Sequence, residues 1–429
     1  MTSILDRPAT TTPTRLVPSP RVPHTRSPRP VGVPLPARHH LDHTHISTPN
    51  LALSDKPAAQ VLRVIRQAAP VFRDEIADAT GLSTSTVNRQ VGALVKAGLV
   101  RERGDLAPAG AVGRPRLPVE IAVAEHLTIG VHIGYKVTSI TAHDLLHRVV
   151  GSITVPTPAE AGAENALTSL AHTVAGFTSR WRNRDIRWVG IALGGRVYEG
   201  GNVDHPRLGW SQAPVGQVFA EILGYPVSVA SHVEAMADAE LVANPTQRGS
   251  FLYFYAREMV GIAFSVDGSV HTPSAGPPVI GHFPIGATTL LDPHRTGQLE
   301  AATSDTGIVA AARAAGLGIT DIADVHEAAR DGNEVARDIL VERAEVLGRA
   351  VALIADIFNP DHVVLGGQAF TDAPQTLPVV AKVIRDTSVT AKRDVRVSRA
   401  GVSVQQQAAG AVSLDALYSD PLGAIAITA

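Results

Sequence analysis

The chain of 429 residues contains no cysteine, which excludes disulfide bonds and metal sites built on thiolates. No apolar run approaches the roughly 18 residues that a membrane-spanning helix needs. The N-terminus has arginines and prolines where a signal peptide would have an apolar segment. These absences predict a cytoplasmic protein with no membrane partner. A hydrophobic content of 45% is sufficient for a substantial core and for more than one domain.

The first 50 residues also have little apolar periodicity, and they contain ten prolines, six arginines and five histidines. Such a segment cannot bury enough apolar surface to offset the entropy of ordering, so residues 1–53 are predicted to be a disordered tail. The histidines of "RHHLDHTHIS" are therefore not expected to hold a metal.

Charge is divided unevenly along the chain. Residues 1–120 have 16 basic against 9 acidic residues, whereas the remainder has 22 against 31. This division favours an N-terminal segment that binds a polyanion, attached to an acidic body.

Three short helices are predicted after the tail. Apolar residues recur at helical spacing in "KPAAQVLRVIRQ", "RDEIADATG" and "LSTSTVNRQVGALVKAG". Gly81 breaks the chain before the third helix, Ser83 is a suitable N-cap and Gly98 closes the C-terminus. The pattern indicates a helix-turn-helix.

The third helix carries short polar and cationic side chains away from its apolar stripe. Such a face is an ordinary solvated surface in many proteins, but at the start of a capped third helix it suits contacts with phosphates and base edges of double-stranded DNA. The candidate DNA-binding residues are Ser83, Thr84, Ser85, Thr86, Asn88, Arg89, Gln90 and Lys96.

A β-wing is predicted after this helix. Two extended runs, Leu99–Arg103 and Leu117–Ile121, flank a loop rich in glycine and proline. Arg114 and Arg116 in "GRPR" add two guanidinium groups suited to phosphates or a narrow minor groove. Residues 54–120 are thus predicted to be a winged helix-turn-helix DNA-binding domain.

From residue 121 the pattern changes to extended runs followed by helices, and this order occurs twice. Each half ends in a buried strand followed by Gly-Gly, at Gly194-Gly195 and Gly366-Gly367. The order predicts a duplicated α/β domain with two lobes and a central cleft.

Several motifs in order resemble the ROK family (repressors, open reading frames and sugar kinases). They are "GLSTSTVNRQVGALVKAGLV" with "GRPR", "RLGW", "GYPVSVASHVEAMADAEL", "GH" at Gly281-His282, "TGQLE" and "VVLGG". The resemblance implies a winged helix before an actin-like, ribonuclease H-like domain of the sugar-kinase type. Residues 121–429 would then form an effector and dimerisation domain.

The kinase motifs of the family are altered. Where family kinases have a catalytic Asp this chain has His232, and the first phosphate loop reads His132-Ile133-Gly134-Tyr135-Lys136. The Gly-Thr-Gly of the second loop is replaced by Arg257-Glu258-Met259, whose carboxylate is expected to repel a triphosphate. We therefore expect neither ATP nor another cofactor, and no enzymatic activity. The alternative is an active sugar kinase in which His232 is the general base.

The zinc motif of the family is absent. The residues at its cysteine positions are Leu291, Pro293 and Gln298, so no metal is expected. Any rigidity that zinc gives this loop in relatives would have to come here from packing.

The ligand motif is kept in part. The candidate ligand-binding residues are Arg207, His232, Glu234, His282 and Glu300. Arg207 stands where the family has an asparagine, which favours an anionic ligand such as a sugar acid or a sugar phosphate. The alternative is a vestigial pocket that binds nothing.

These features together predict a sequence-specific DNA-binding transcriptional regulator, and we expect a repressor. A single winged helix buries too little surface for tight specific binding, so a homodimer or a dimer of dimers on a pseudo-palindromic operator is expected. A sugar-like small molecule is the expected effector.

Overall fold

The computed structural model describes residues 45–106, 116–245, 249–390 and 393–428. Within these ranges the strands are β1 (Ile46–Ser47), β2 (Val100–Glu102), β3 (Val119–Ile121), β4 (His126–Ile133), β5 (Val137–His143), β6 (Val149–Pro156), β7 (Asp185–Leu193), β8 (Arg196–Val197), β9 (Val203–His205), β10 (Trp210–Ala213), β11 (Val227–Ser231), β12 (Ser250–Ala256), β13 (Val260–Val266), β14 (Ser269–Val270), β15 (His362–Gly366) and β16 (Asp394–Val397). The helices are α1 (Pro57–Ala68), α2 (Arg73–Thr80), α3 (Thr84–Lys96), α4 (Ala163–Thr178), α5 (Val215–Leu223), α6 (His232–Ala243), α7 (Leu299–Thr303), α8 (Asp305–Ala314), α9 (Ile322–Arg330), α10 (Glu334–Phe358), α11 (Gln368–Thr371), α12 (Leu377–Thr387), α13 (Val404–Ser419) and α14 (Pro421–Thr428).

Helices α1 to α3 and the antiparallel pair β2–β3 form a winged helix, here called the head. The predicted caps are present, since the Ser83 side chain accepts a hydrogen bond from the Thr86 amide and Gly81 adopts a φ of 71°. Val87 and Val91 of α3 are fully buried against the apolar faces of α1 and α2. The predicted head is confirmed.

The first lobe is a six-stranded sheet in the order β1-β11-β7-β4-β5-β6, with β4, β7 and β11 parallel. Helices α4 and α5 contribute to the apolar core on one of its faces. The second lobe is a five-stranded sheet in the order β14-β13-β12-β15-β16, covered by α7 to α12.

The two Gly-Gly pairs occupy equivalent positions in the two lobes. Gly195 follows β7 with a φ of 92°, and Gly367 follows β15 with a φ of 95°. A Cβ at Gly195 would lie 2.0 Å from the Asp204 carbonyl oxygen, and one at Gly367 would lie 2.3 Å from the Ala256 carbonyl oxygen. Both turns therefore require glycine, and the duplicated two-lobed fold is confirmed.

Helices α6 and α13 pack against each other between the two sheets. Helix α13 crosses β4 and β7 so closely that a Cβ at Gly190 of β7 would lie 2.1 Å from the Ser413 nitrogen. These two helices join the lobes and also reach the head.

The predicted tail, residues 1–53, ends earlier than expected. Strand β1 pairs in parallel with β11, with Ile46 opposite Val227, and the Leu51 side chain is only 1% exposed. Ile46 and Leu51 pack on apolar surface and β1 completes an edge of the sheet, so residues 45–53 are part of the folded body. Residues 1–44 lie outside the described residues.

The last two helices pack against the head. Leu414 and Leu417 of α13 and Ala424 of α14 share one apolar cluster with Val61 and Ile65 of α1. The head is therefore packed firmly on the end of the chain. None of the helices in the described ranges is long and apolar enough to cross a membrane.

Candidate functional site

Helix α3 presents its predicted contact residues to solvent. Six of them are exposed and two, Thr86 and Gln90, are partly exposed. The Arg89 and Lys96 side chains make no hydrogen bond or ion pair with any described residue. Both cations are thus available to a polyanion.

Arg116, the wing arginine within the described residues, has an acidic partner in the head. Arg116 forms an ion pair with Asp74 at the start of α2, and its guanidinium lies 5.0 Å from the centre of the Phe72 ring. Both side chains of this pair are largely exposed, so a contact between Arg116 and a DNA phosphate stays a prediction that requires the pair with Asp74 to open. Arg114 lies outside the described residues.

A cleft of about 720 Å³ lies between the two lobes. Its wall includes the turn after β4, the turn after β12, the first residue of α6 and the segment before α13. The residues that line the cleft include His132, Tyr135, Lys136, Ser139, His205, Arg207, His232, Tyr255, Arg257, Glu258, Met259, Asp305, Thr306, Asp321, Gln405 and Gln406.

Arg207 closes part of the cleft mouth. Its guanidinium donates to the Glu258 carbonyl at 2.8 Å and to the Glu258 Oε1 at 2.7 Å, and lies 5.2 Å from the centre of the Tyr135 ring. Glu258 also accepts from the amide and hydroxyl of Thr306. Arg207 is thus held by a protein carboxylate, and Glu258 is neutralised, where the sequence predicted a repulsive charge.

The other predicted ligand residues converge only in part. Glu300 lies 3.8 Å from the Arg207 guanidinium, but its Oε2 already accepts from the Val260 amide. His282 is exposed and contacts Gln298, with 3.2 Å between Nδ1 and Oε1. Neither Glu300 nor His282 lines the cleft.

Glu234 is buried on α6 and also does not line the cleft. Burial raises the pKa of its carboxyl to about 7. Of the five predicted ligand residues, the cleft wall contains Arg207 and His232.

His232 begins α6 at the centre of the cleft. Its ring stacks on that of His132, with centroids 5.6 Å apart and planes 8° apart, and its Nε2 lies 3.0 Å from the Met259 sulfur. Burial lowers the pKa of His232 to about 4 and that of His132 well below its usual value. Both imidazoles are therefore neutral at pH 7, which makes His232 a weak base.

Sequence reasoning missed several groups that surround His232. They are His205, Tyr255, Met259 and Arg257, which come from two separate parts of the chain, the end of β9 and the β12–β13 hairpin. His205 stands two residues before Arg207, and this proximity to a family motif was the one available signal. The others depend on how the β12–β13 hairpin faces α6.

The loop at the family's zinc position is organised by carboxylates. Glu342 of α10 accepts from the amides of Thr289, Leu290 and Leu291, and Asp292 accepts from the amides of Thr296 and Gly297. Packing alone was expected to hold this loop, so hydrogen bonds to two carboxylates are an addition. Among the described residues, no group of three histidine, aspartate or glutamate side chains could hold a metal ion.

The Glu342→Ala variant is expected to lose about 1–3 kcal/mol of unfolding free energy, because three loop amides lose a charged acceptor. Chemical denaturation measures this loss, and a chelator should change the unfolding free energy of neither the parent nor the variant. A chelator that lowered the stability of the parent would contradict the account of the loop.

Comparison with known proteins identifies two families along the chain. The profile of the ROK family matches residues 128–417 and that of the MarR family matches residues 53–106. A transcriptional regulator of Mycobacterium tuberculosis is 49% identical over 410 residues, which cover 91% of this chain and 92% of the relative. The DNA-binding transcriptional repressor Mlc of Escherichia coli is 24% identical over 391 residues, covering 85% and 94%.

A solved structure shows the same fold. The crystal structure of a ROK family transcriptional regulator, a homologue of the E. coli Mlc protein, superposes with a TM-score of 0.73 at 22% identity. The match covers 87% of this chain and 98% of that one. With the ROK profile over more than half of the chain, a winged helix before it and a regulator as a near relative, this chain belongs to the ROK family and is one of its transcriptional regulators.

Proposed function

We propose that this protein is a repressor that binds a pseudo-palindromic operator in double-stranded DNA as a homodimer or a dimer of dimers. The observation that carries the proposal is the exposed polar face of α3, whose opposite face is buried in the head. A helix held in this way can enter the major groove with its N-terminal residues against base edges. The relative Mlc, a DNA-binding repressor, supports the same assignment.

This proposal assigns the DNA contacts to the predicted residues of α3. Ser83, Thr84, Ser85 and Asn88 lie at the exposed N-terminal half of the recognition face. Such short side chains can approach bases and phosphates closely. With a DNA-bound role we also propose a cytoplasmic location.

Replacing Arg89 with Ala is expected to weaken operator binding by about 1–3 kcal/mol if the guanidinium contacts a base. The operator is obtained first by selecting bound sites from a random DNA library with the full-length protein. Affinity is then measured by fluorescence anisotropy at fixed salt. The matched control is Arg385→Ala, which removes an exposed arginine from α12 in the second lobe. Equal affinity of the Arg89→Ala and Arg385→Ala variants would refute the assignment of α3.

We also propose that the protein is not a kinase. His232 stands at the position of the catalytic aspartate, the general base of the family kinases, but its ring is neutral, weakly basic and in contact with a thioether. Tyr135 and the Arg207–Glu258 pair occupy the cleft mouth near the turn that would hold a phosphate. The alternative, a kinase using His232 as general base, needs a base stronger than this one.

The protein is therefore expected not to transfer phosphate from ATP to a hexose. Purified protein should give no ADP in a coupled assay with glucose, mannose or N-acetylmannosamine, and ATP with magnesium should not raise its melting temperature. Turnover that disappears in a His232→Ala variant would establish the kinase alternative instead.

The fold offers a route by which a ligand in the cleft could act on the head. Helix α6 begins at His232 in the cleft, and its Asp238 and Val242 lie beside Arg66 of α1. Gln405 of α13 also lines the cleft. We propose that a polar small molecule in the cleft biases the placement of the head through these two helices, which is the requirement for an effector.

A further inference from the structure

Three buried polar atoms that line the cleft have no hydrogen-bond partner among the described residues. They are Nε2 of His132, Nδ1 of His232 and Oγ of Ser139. His132 and His232 are 6% and 7% exposed, and Ser139 lies directly opposite His132 in the β4–β5 ladder. Unpaired buried polar groups are rare because they lose their hydration without compensation. Three in one wall indicate a surface built to bind a polar group.

The contact with Met259 defines which proton His232 holds. A thioether sulfur can only accept a hydrogen bond, so Nε2 of His232 carries the proton that points at it. In the neutral ring the buried and unpartnered Nδ1 then carries the lone pair, on a residue that lines the cleft. This atom can accept one proton and, once protonated, can donate a hydrogen bond to an anion.

The acids of the cleft wall do not oppose an anion, because each has its own partners. Glu258 pairs with Arg207, Asp305 pairs with Arg343 at 2.9 Å, and Asp321 caps α9 by accepting from the Ala323 and Asp324 amides.

Among the cations of the cleft wall, Arg257 has only a long ion pair with an acidic residue. The Arg257 guanidinium shares Asp305 with Arg343 at the longer distance of 3.6 Å, and 39% of its side chain is exposed. Arg257 and His132 line the same cleft, and the Arg257 charge contributes to the lowered pKa of His132. His232 also lies at the N-terminus of the 12-residue helix α6, whose Ser231 side chain makes no capping hydrogen bond. A helix N-terminus favours negative charge.

We propose that His132, Ser139, His232 and Arg257 form a binding site for the carboxylate of a small organic acid, and that such an acid is the effector of this regulator. The effector role rests on the proposed function, whereas the binding site does not. The site shares His232 with the predicted ligand residues but not Arg207, Glu300 or His282. Arg207 is paired with Glu258, Glu300 accepts from the Val260 amide and His282 contacts the Gln298 side chain.

Binding at this site takes up a proton. The carboxylate binds the imidazolium of His232, so one proton moves from solvent to Nδ1 when the neutral ring meets the anion. The apparent affinity then falls roughly tenfold for each unit of rising pH above the pKa of the unliganded ring. The titratable and charged groups that face or adjoin His232 are His132 of β4, His205 of β9, Tyr255 of β12, Arg257 and Glu258 of the β12–β13 turn, and Arg207.

The test uses the full-length protein labelled with ¹⁵N-histidine and the probes sodium acetate and sodium D-glucuronate. D-Glucose and inorganic phosphate are the comparison ligands. Calorimetry at pH 6, 7 and 8, in buffers of different ionisation enthalpy, measures affinity and proton uptake. The variants are His232→Gln and Arg257→Gln, with His172→Gln on the exposed face of α4 as the matched control. Melting temperatures establish that each variant is folded, and partly exposed Arg257 provides the test should His232→Gln fail to fold.

We expect at least one carboxylate to bind with uptake of about one proton and to shift the His232 nitrogen resonances toward imidazolium. His232→Gln should weaken binding at least about tenfold and abolish the proton uptake, Arg257→Gln should weaken binding, and His172→Gln should do neither. Absence of binding by both carboxylates, binding without proton uptake, or equal binding of glucose or phosphate would overturn the site.

Operator affinity measured without any acid separates the two proposals. If the parent protein does not bind the operator, the repressor assignment is refuted, whereas the proposed carboxylate site is unaffected. A carboxylate that binds as expected but leaves operator affinity unchanged would overturn its role as effector.

Discussion

Deleting residues 1–53 is expected to lower the free energy of unfolding by more than about 3 kcal/mol relative to deleting residues 1–44. The additional nine residues include β1, which pairs with β11, and Leu51, whose buried side chain alone is worth about 2–5 kcal/mol. They also supply the amides of Asn50 and Leu51, which donate to the buried Asp415 carboxylate at 3.0 Å. Without these two donors the buried Asp415 carboxylate loses hydrogen bonds that stabilise its charge.

The comparison of the two deletions isolates the segment itself, since both lack the same first 44 residues. Urea denaturation of each protein gives the difference directly, and Leu51→Ala in the full-length chain should reproduce about 2–5 kcal/mol of it. Equal stabilities of the two deletion proteins would show that residues 45–53 contribute nothing to the body.

The second large effect is a fall in stability as the pH rises from about 4 toward 8, which depends on Asp238. Asp238 of α6 and Asp415 of α13 lie in one pocket beside Arg66 of the head, whose guanidinium stacks 3.6 Å from the Tyr418 ring centre. Burial raises the pKa of Asp415 from 3.8 to about 6, and burial together with the Asp415 charge raises that of Asp238 well above its usual value.

Both shifts have the same consequence for folding. Between about pH 4 and pH 6 the folded protein keeps the Asp415 proton that the unfolded chain has released, and the corresponding pH range for Asp238 extends higher. Stability therefore falls as the pH rises through these ranges. A shift of one unit corresponds to about 1.4 kcal/mol. Asp238→Asn should therefore be more stable than the parent by about 1–3 kcal/mol at pH 8, and its stability should depend less on pH.

Urea denaturation of the parent and of Asp238→Asn from pH 5 to pH 8 measures this effect. The control is Asp331→Asn, which alters an exposed carboxylate after α9 and should follow the parent at each pH. Parallel pH profiles for the parent and Asp238→Asn would contradict the assignment of a protonated carboxyl at the junction of head and body.

The sequence predicted the elements well wherever a local pattern defined them. The predicted third helix coincides with α3, and Ser83 caps it as its position before the apolar stripe predicts. The Gly-Gly pairs located the ends of β7 and β15 because both turns need a left-handed backbone. Such features depend on residues close together in the chain.

The failures arose where distant segments meet. Strand β1 is two residues long and forms only because β11 provides an edge, so no local period could reveal it. Arg207 and Glu258 are 51 residues apart, and each was interpreted alone as a charge facing a ligand. Their contact across the cleft reverses both interpretations. The histidine pair was missed for the same reason, since His132 and His232 belong to different elements that stack only in the folded protein.

A genome-wide map of DNA occupied by the full-length protein, made in parallel for the Arg89→Ala variant, tests the central claim most directly. The exposed face of α3 predicts discrete sites that share an inverted repeat, with half-sites about one helical turn apart, and it predicts that the variant loses them at equal expression. Occupancy without a shared repeat, or the same sites bound equally by the variant, would contradict the claim that α3 reads an operator.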